Sequence, residues 1–175
     1  MSDHETECPF SEEELAEYTQ EVRRRVKECD SAVFRNRSVW HAVIILREFI
    51  HAAQRSIDIF CGYLNNAVYG TLWPDFEAAM RRGVTVRVII EGCVPSAKDL
   101  AAKLEERKAF RVLGVDSGLP HFALIDGMRY RAELNESAKD ALVCAYAREQ
   151  VQLQTVARME FWMEELWKIA GMEEE

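Results

Sequence analysis

The chain has 175 residues, 49% of them hydrophobic and 30% charged, enough for one domain with a buried core and unlike a disordered segment. A net charge of −8 and a pI near 5.2 work against broad phosphate-backbone binding, so any nucleic-acid face would have to be a local basic patch. No apolar run approaches the ~20 residues that span a bilayer, and the first residues lack the basic-then-apolar pattern of a secretory signal.

Five scattered cysteines, Cys8, Cys29, Cys61, Cys93 and Cys144, form no CxxC pair, so neither a zinc site nor a disulfide framework is indicated. No metal and no cofactor is expected. Reduced thiols point to a cytoplasmic protein without a membrane partner.

The first helix should begin at Ser11, where Ser11-Glu12-Glu13-Glu14 has the capping-box pattern. Leu15, Tyr18, Val22, Val26 and Cys29 then recur at helical spacing. Arg23, Arg24 and Arg25 form a basic cluster whose glutamate neighbours suggest intrahelical ion pairs. Residues 30–37 read as a connection, and a second helix carries Val39, Val43, Leu46, Phe49 and Ala53 on one side. Ser56 to Cys61 reads as a strand ended by Gly62.

A helix over 72–82, with Pro74 in its first turn, stops at Gly83 and leads into a strand over Val84–Ile90. Pro95-Ser96 introduces a helix reaching about Lys108, and 109–115 is a weaker strand. Three strands then follow over 121–125, 128–133 and 140–145, the first two joined by the hairpin signal Asp126-Gly127. A helix over 148–170 comes next, with Val156, Met159, Met163, Leu166 and Ile169 toward the core. Strands separated by helices predict an α/β fold with a mixed, largely parallel sheet flanked by helices.

From about Val39 to Ala170 this order resembles a half-repeat of the phospholipase D superfamily. The likeness rests on Leu46-Arg47-Glu48-Phe49-Ile50 through Arg55-Ser56-Ile57-Asp58-Ile59-Phe60, and on Phe76 to Ile89 with its glycine turn. It extends to Pro120-His121-Phe122-Ala123-Leu124-Ile125-Asp126-Gly127 and to the aromatic segment Phe161–Trp167. Residues 38–175 would then be the phospholipase D-like domain and residues 1–37 an acidic N-terminal helical extension.

The chemistry this resemblance implies needs a histidine and, two residues on, a lysine, one to attack phosphorus and one to neutralise the phosphoryl oxygens. Two residues after His4, His41, His51 and His121 stand Thr6, Val43, Ala53 and Ala123. Aligned on Asp126-Gly127, the nucleophile position falls on Leu119 and the lysine position on His121. The family's GSxN stretch falls on Glu133-Leu134-Asn135-Glu136. No catalytic residue is therefore assigned, with His121 the candidate if there is one.

Period-two geometry places Arg129, Arg131 and Glu133 on one face of their strand. Beside His121 they would make a set able to hold a phosphate-containing ligand, or a polar network at a subunit interface, or an ordinary strand-edge ion pair. Asp126 reads as turn chemistry, Cys61 as an inert buried thiol near the cleft mouth, and Asn65-Asn66 as a turn. The leading expectation is a catalytically degenerate protein that binds, assembles or regulates, as a homodimer through its former active-site face or with a different protein partner. The alternative is a divergent phosphodiesterase or nuclease using His121 with Arg129 or Arg131.

Overall fold

The computed structural model describes residues 8–134 and 137–171, with residues 137–139 described by their backbone alone. In chain order the elements are α1 (Glu12–Lys27), β1 (Phe34–Asn36), α2 (Val39–Ala52), β2 (Ser56–Cys61), α3 (Asn66–Tyr69) and α4 (Trp73–Arg81). They continue with β3 (Thr85–Ile90), α5 (Lys98–Glu106), β4 (Phe110–Val112), β5 (Phe122–Ile125), β6 (Arg129–Leu134), β7 (Ser137–Cys144) and α6 (Gln150–Gly171). The seven strands form one sheet in the order β1-β7-β6-β5-β2-β3-β4.

The mixed sheet flanked by helices is as expected, but its balance is antiparallel rather than largely parallel. Only β2–β3 and β3–β4 pair in parallel, and each of these pairs of sheet neighbours is joined through helices, α3 and α4 after β2 and α5 after β3. β5 enters on the other side of β2 and runs against it, and β5, β6 and β7 follow one another as antiparallel neighbours. The seventh strand, β1, lies in a segment that reads as a connection. Three residues are too few for period-two alternation to declare itself, yet Phe34, Arg35 and Asn36 pair with Val143, Leu142 and Ala141.

Alternating strand residues divide the apolar core between two faces. On one, Ile57, Ile59, Ala123, Ile125 and Val143 pack with Ile45, Leu46 and Phe49 of α2, with Phe76 of α4 and Leu104 of α5. On the other, Phe60, Ile89, Phe122, Leu124 and Tyr130 pack with Val156, Met159, Met163 and Leu166 of α6. α1 begins with the capping box read from the sequence, Ser11 Oγ accepting from Glu14 N–H and the Glu14 carboxylate from Ser11 N–H. It lies on α2 through buried Val22, and Arg23 reaches Glu48 with two nitrogens, a bidentate ion pair.

Asp126 does more than shape its turn. Asp126 and Gly127 both have left-handed φ, +57° and +64°, as a two-residue hairpin requires. The Asp126 carboxylate is buried and accepts the backbone N–H groups of Gln54, Arg55 and Ser56 at 2.7–3.1 Å, so the hairpin caps the backbone leading into β2. Asp126→Ala would orphan these three donors and is expected to lower the unfolding free energy by about 2–4 kcal/mol. Urea unfolding measures this, and a loss below that of an exposed Asp→Ala control would refute it.

Candidate functional site

β2 and β3 run parallel, and their C-terminal ends deliver Gly62 and Glu91 to the same end of the sheet. β5 starts at that end and β6 finishes there, which adds His121 and Glu133. The His121 ring is held between two carboxylates. Nε2 is 2.8 Å from Glu91 Oε2, and Nδ1 is 3.4 Å from Glu133 Oε2. Glu91 uses its other oxygen to accept from the backbone N–H and hydroxyl of Ser117, at 2.8 and 2.5 Å. Glu133 accepts from Arg131 Nη1 at 2.8 Å, and Arg131 Nε donates to Asn36 Oδ1 at 3.0 Å.

Gly62 makes room for the ring, since a Cβ there would stand 3.1 Å from His121 Cε1. The Phe60 ring meets the imidazole edge-on, with centroids 5.6 Å apart. A cavity of about 40 Å³ remains, lined by Cys61, Tyr63, Asn65, Tyr69, His121 and Glu133 among others. That is room for a water-sized group and far below the volume of an organic ligand.

The electrostatics follow from the pairing. Contact with Glu133 and then Glu91 outweighs burial and pushes the His121 imidazole up to about 9. Burial pushes both carboxyls up, but the hydrogen bonds of His121 and Arg131 to Glu133, and of Ser117 and His121 to Glu91, leave both below the ordinary range. At neutral pH the site therefore holds an imidazolium, a guanidinium and two carboxylates, with no net charge.

Three of the four residues singled out in the sequence meet here: His121, Glu133 and Arg131. Arg131 acts through Glu133 and is 1% exposed. Arg129 is not in the cluster, for its Nη1 lies 3.3 Å from Asp126 Oδ2 at the hairpin. The period-two argument places it on the right face, but two steps along a strand carry it away from the site. Asn135 and Glu136, read against the GSxN stretch, lie outside the described residues.

Glu91, Ser117, Gly62, Asn36 and Tyr69 escaped sequence reasoning. Glu91 had a signal, a carboxylate immediately after the apolar strand β3, where the carboxyl ends of parallel strands collect functional groups. Asn36 had none, since it follows from β1. Cys61 is buried, and burial pushes its thiol up to about 12, which makes it inert. Asn65 caps α3 by accepting from Ala67 N–H. Arg23, Arg24 and Arg25 are taken up by ion pairs with Glu48, Glu21, Glu28 and Asp30.

Because the imidazolium is favoured in the fold, its contribution is complete below the ordinary histidine value of 6.5 and disappears as pH rises through about 9. The carboxylates act in the opposite sense, losing their contribution as pH falls through the acid range. The stability difference between wild type and His121→Gln is expected to shrink by about 3 kcal/mol from pH 6.5 to beyond 9. Urea unfolding across that interval measures it, and parallel curves for the two proteins would refute the clamp.

No family model matches the sequence, and no curated protein matches it. Among solved structures it is similar to TrmBL2, an archaeal chromatin protein described as showing a novel mode of DNA binding. The TM-score is 0.56 at 14% identity, with 89% of this chain and 61% of that one covered, so this chain spans about three fifths of that protein's length. It is also similar to Nuc, a phospholipase D family member from Salmonella typhimurium, with TM-score 0.54, 14% identity and 79% and 95% of the two chains covered. At this identity the likeness is one of fold, and the fold is phospholipase D-like.

Proposed function

We propose that this protein is a catalytically degenerate member of the phospholipase D-like fold that works by binding, as an assembly or regulatory subunit. The observation that carries the reading is the clamp on His121. A nucleophilic imidazole needs a lone pair aimed at phosphorus, whereas each ring nitrogen of His121 faces a carboxylate oxygen that favours the protonated form. No lysine stands two residues on. Arg131 is spent on Glu133 and Asn36 and Arg129 on Asp126, so neither replaces it.

The same end of the sheet is where we place the homodimer contact. The loops after β2, β3 and β4 present Tyr63, Val94 and Val115, 54%, 65% and 61% exposed, around a neutral polar centre. Large exposed apolar side chains around a paired polar cluster suit a protein–protein contact better than an anion site. A phosphate drawn toward His121 would meet Glu91 and Glu133. The likeness to a DNA-binding chromatin protein keeps a nucleic-acid role in view, and the charge of −8 and the carboxylates at this face weigh against it.

Purified protein is expected to hydrolyse neither a generic phosphodiester nor DNA nor RNA above the level of His121→Ala. Turnover that depends on His121 would overturn the reading and establish the divergent phosphodiesterase. Sedimentation equilibrium tests the contact: Tyr63→Arg together with Val94→Arg is expected to weaken self-association at least about tenfold, roughly 1.4 kcal/mol. A monomeric wild type, or unchanged association in the variant, would remove the homodimer.

A further inference from the structure

At the opposite side of the parallel unit, the edge strand β4 forms one wall of a cleft of about 280 Å³ lined by Glu105, Lys108, Phe110 and Arg111. In the sheet β3 and β2 stand between β4 and the strand that follows His121, so this cleft is separate from the clamp. Its volume is close to the lower end of the range for small-molecule sites.

Most arginines of this chain face carboxylates, including Arg23, Arg24, Arg25, Arg35, Arg87 and Arg131. Lys108 and Arg111 do not: neither makes an ion pair among the described residues. Arg111 is nonetheless fixed in place. Its guanidinium lies over the Trp167 ring, 4.2 Å from the centroid, and Nη1 donates to the Trp167 carbonyl oxygen. A planar fork held on one edge by a carbonyl and on one face by an indole has lost its rotamer freedom in advance, so binding an oxyanion at its other nitrogens costs little further ordering.

Lys108 sits at the end of α5 with a left-handed φ of +56°, its N–H donating to Glu105 O at 2.8 Å. That is a helix-terminal position where glycine is the unstrained residue, so a lysine there carries strain and brings a charge to the cleft. Glu105 is the contrary group, an acidic residue that also lines the cleft. A bare anion would be repelled by it, while a ligand with a donor next to its anionic group would satisfy it. Phe110 adds an apolar surface for a short carbon linker.

We propose that this cleft binds a small phosphomonoester that also carries a hydrogen-bond donor. Arg111 grips the phosphate oxygens as a fork, Lys108 neutralises the second charge, and the Glu105 carboxylate accepts from the donor.

The test is a titration of the full chain, followed by backbone amide resonances, with phosphoethanolamine and with ethyl phosphate, which has the same anion without the donor. Saturable shifts at residues 105–112, absent around His121, are expected with phosphoethanolamine at lower concentration than with ethyl phosphate. Lys108→Gly should raise the dissociation constant at least about tenfold while its melting temperature equals or exceeds that of wild type, because glycine accepts the left-handed backbone. Arg111→Gln should weaken binding to a similar degree. Absence of saturable shifts at millimolar ligand, unchanged affinity in Lys108→Gly, or equal affinity for the two ligands would overturn the proposal.

Discussion

A charge buried without an opposite charge beside it costs several kcal/mol, and one end of this sheet is arranged around that constraint. Asn36, Arg131, Glu133, His121, Glu91 and Ser117 form an unbroken series in which each group meets the next at 3.4 Å or less. The series begins on β1 at one edge, crosses β6 and the start of β5, and reaches the end of β3 and the loop before β5. Positive and negative groups alternate between its two neutral ends, so removing any of the four charged members strands two neighbours. The histidine is the midpoint of this array, and its protonation belongs to the array as much as to the residue.

A second buried ion cluster shows the same physics used for packing. Asp58 on β2 and Arg87 on β3 lie side by side in parallel register, and Arg87 extends to Glu164 of α6. Burial pushes the Asp58 carboxyl up while Arg87 holds it back. The two clusters lie on opposite faces of the sheet. One ties α6 to the strands, and the other links five segments of chain, with His121 and Glu133 lining a cavity too small for an organic ligand.

The sequence carried the long elements and their faces well. The capping box fixes the start of α1 at Ser11, and Asp126-Gly127 fixes the β5–β6 turn. The apolar spacing of α6 picks out Val156, Met159, Met163 and Leu166, but Ile169, expected toward the core, is exposed; in α2 it finds Leu46 and Phe49, whereas Val39 and Val43 are only half-buried and Ala42, Ile45 and Ile50 are buried instead. It carried the sheet's direction poorly, because strand orientation follows from which edge a strand joins, and nothing local records that β5 enters beside β2. His121, Arg131 and Glu133 were legible as one group because strand periodicity is a local rule. Glu91 and Asn36 come to them from 30 and 95 residues away in sequence, and Arg129 was misplaced because a shared face says nothing of distance along the strand.

The position of β1 has a consequence for how the chain acquires its structure. Arg35 meets Asp140 at a sequence separation of 105, whereas β2, β3 and β4 lie close together in sequence and are linked by short helices. Closing so long a loop is entropically slow. On a ribosome, the parallel unit could form while β7 was still unmade. β1, made before β2 to β7, would then be the last of these strands to find its place, and the polar array that ends on Asn36 would be completed only when β7 had formed.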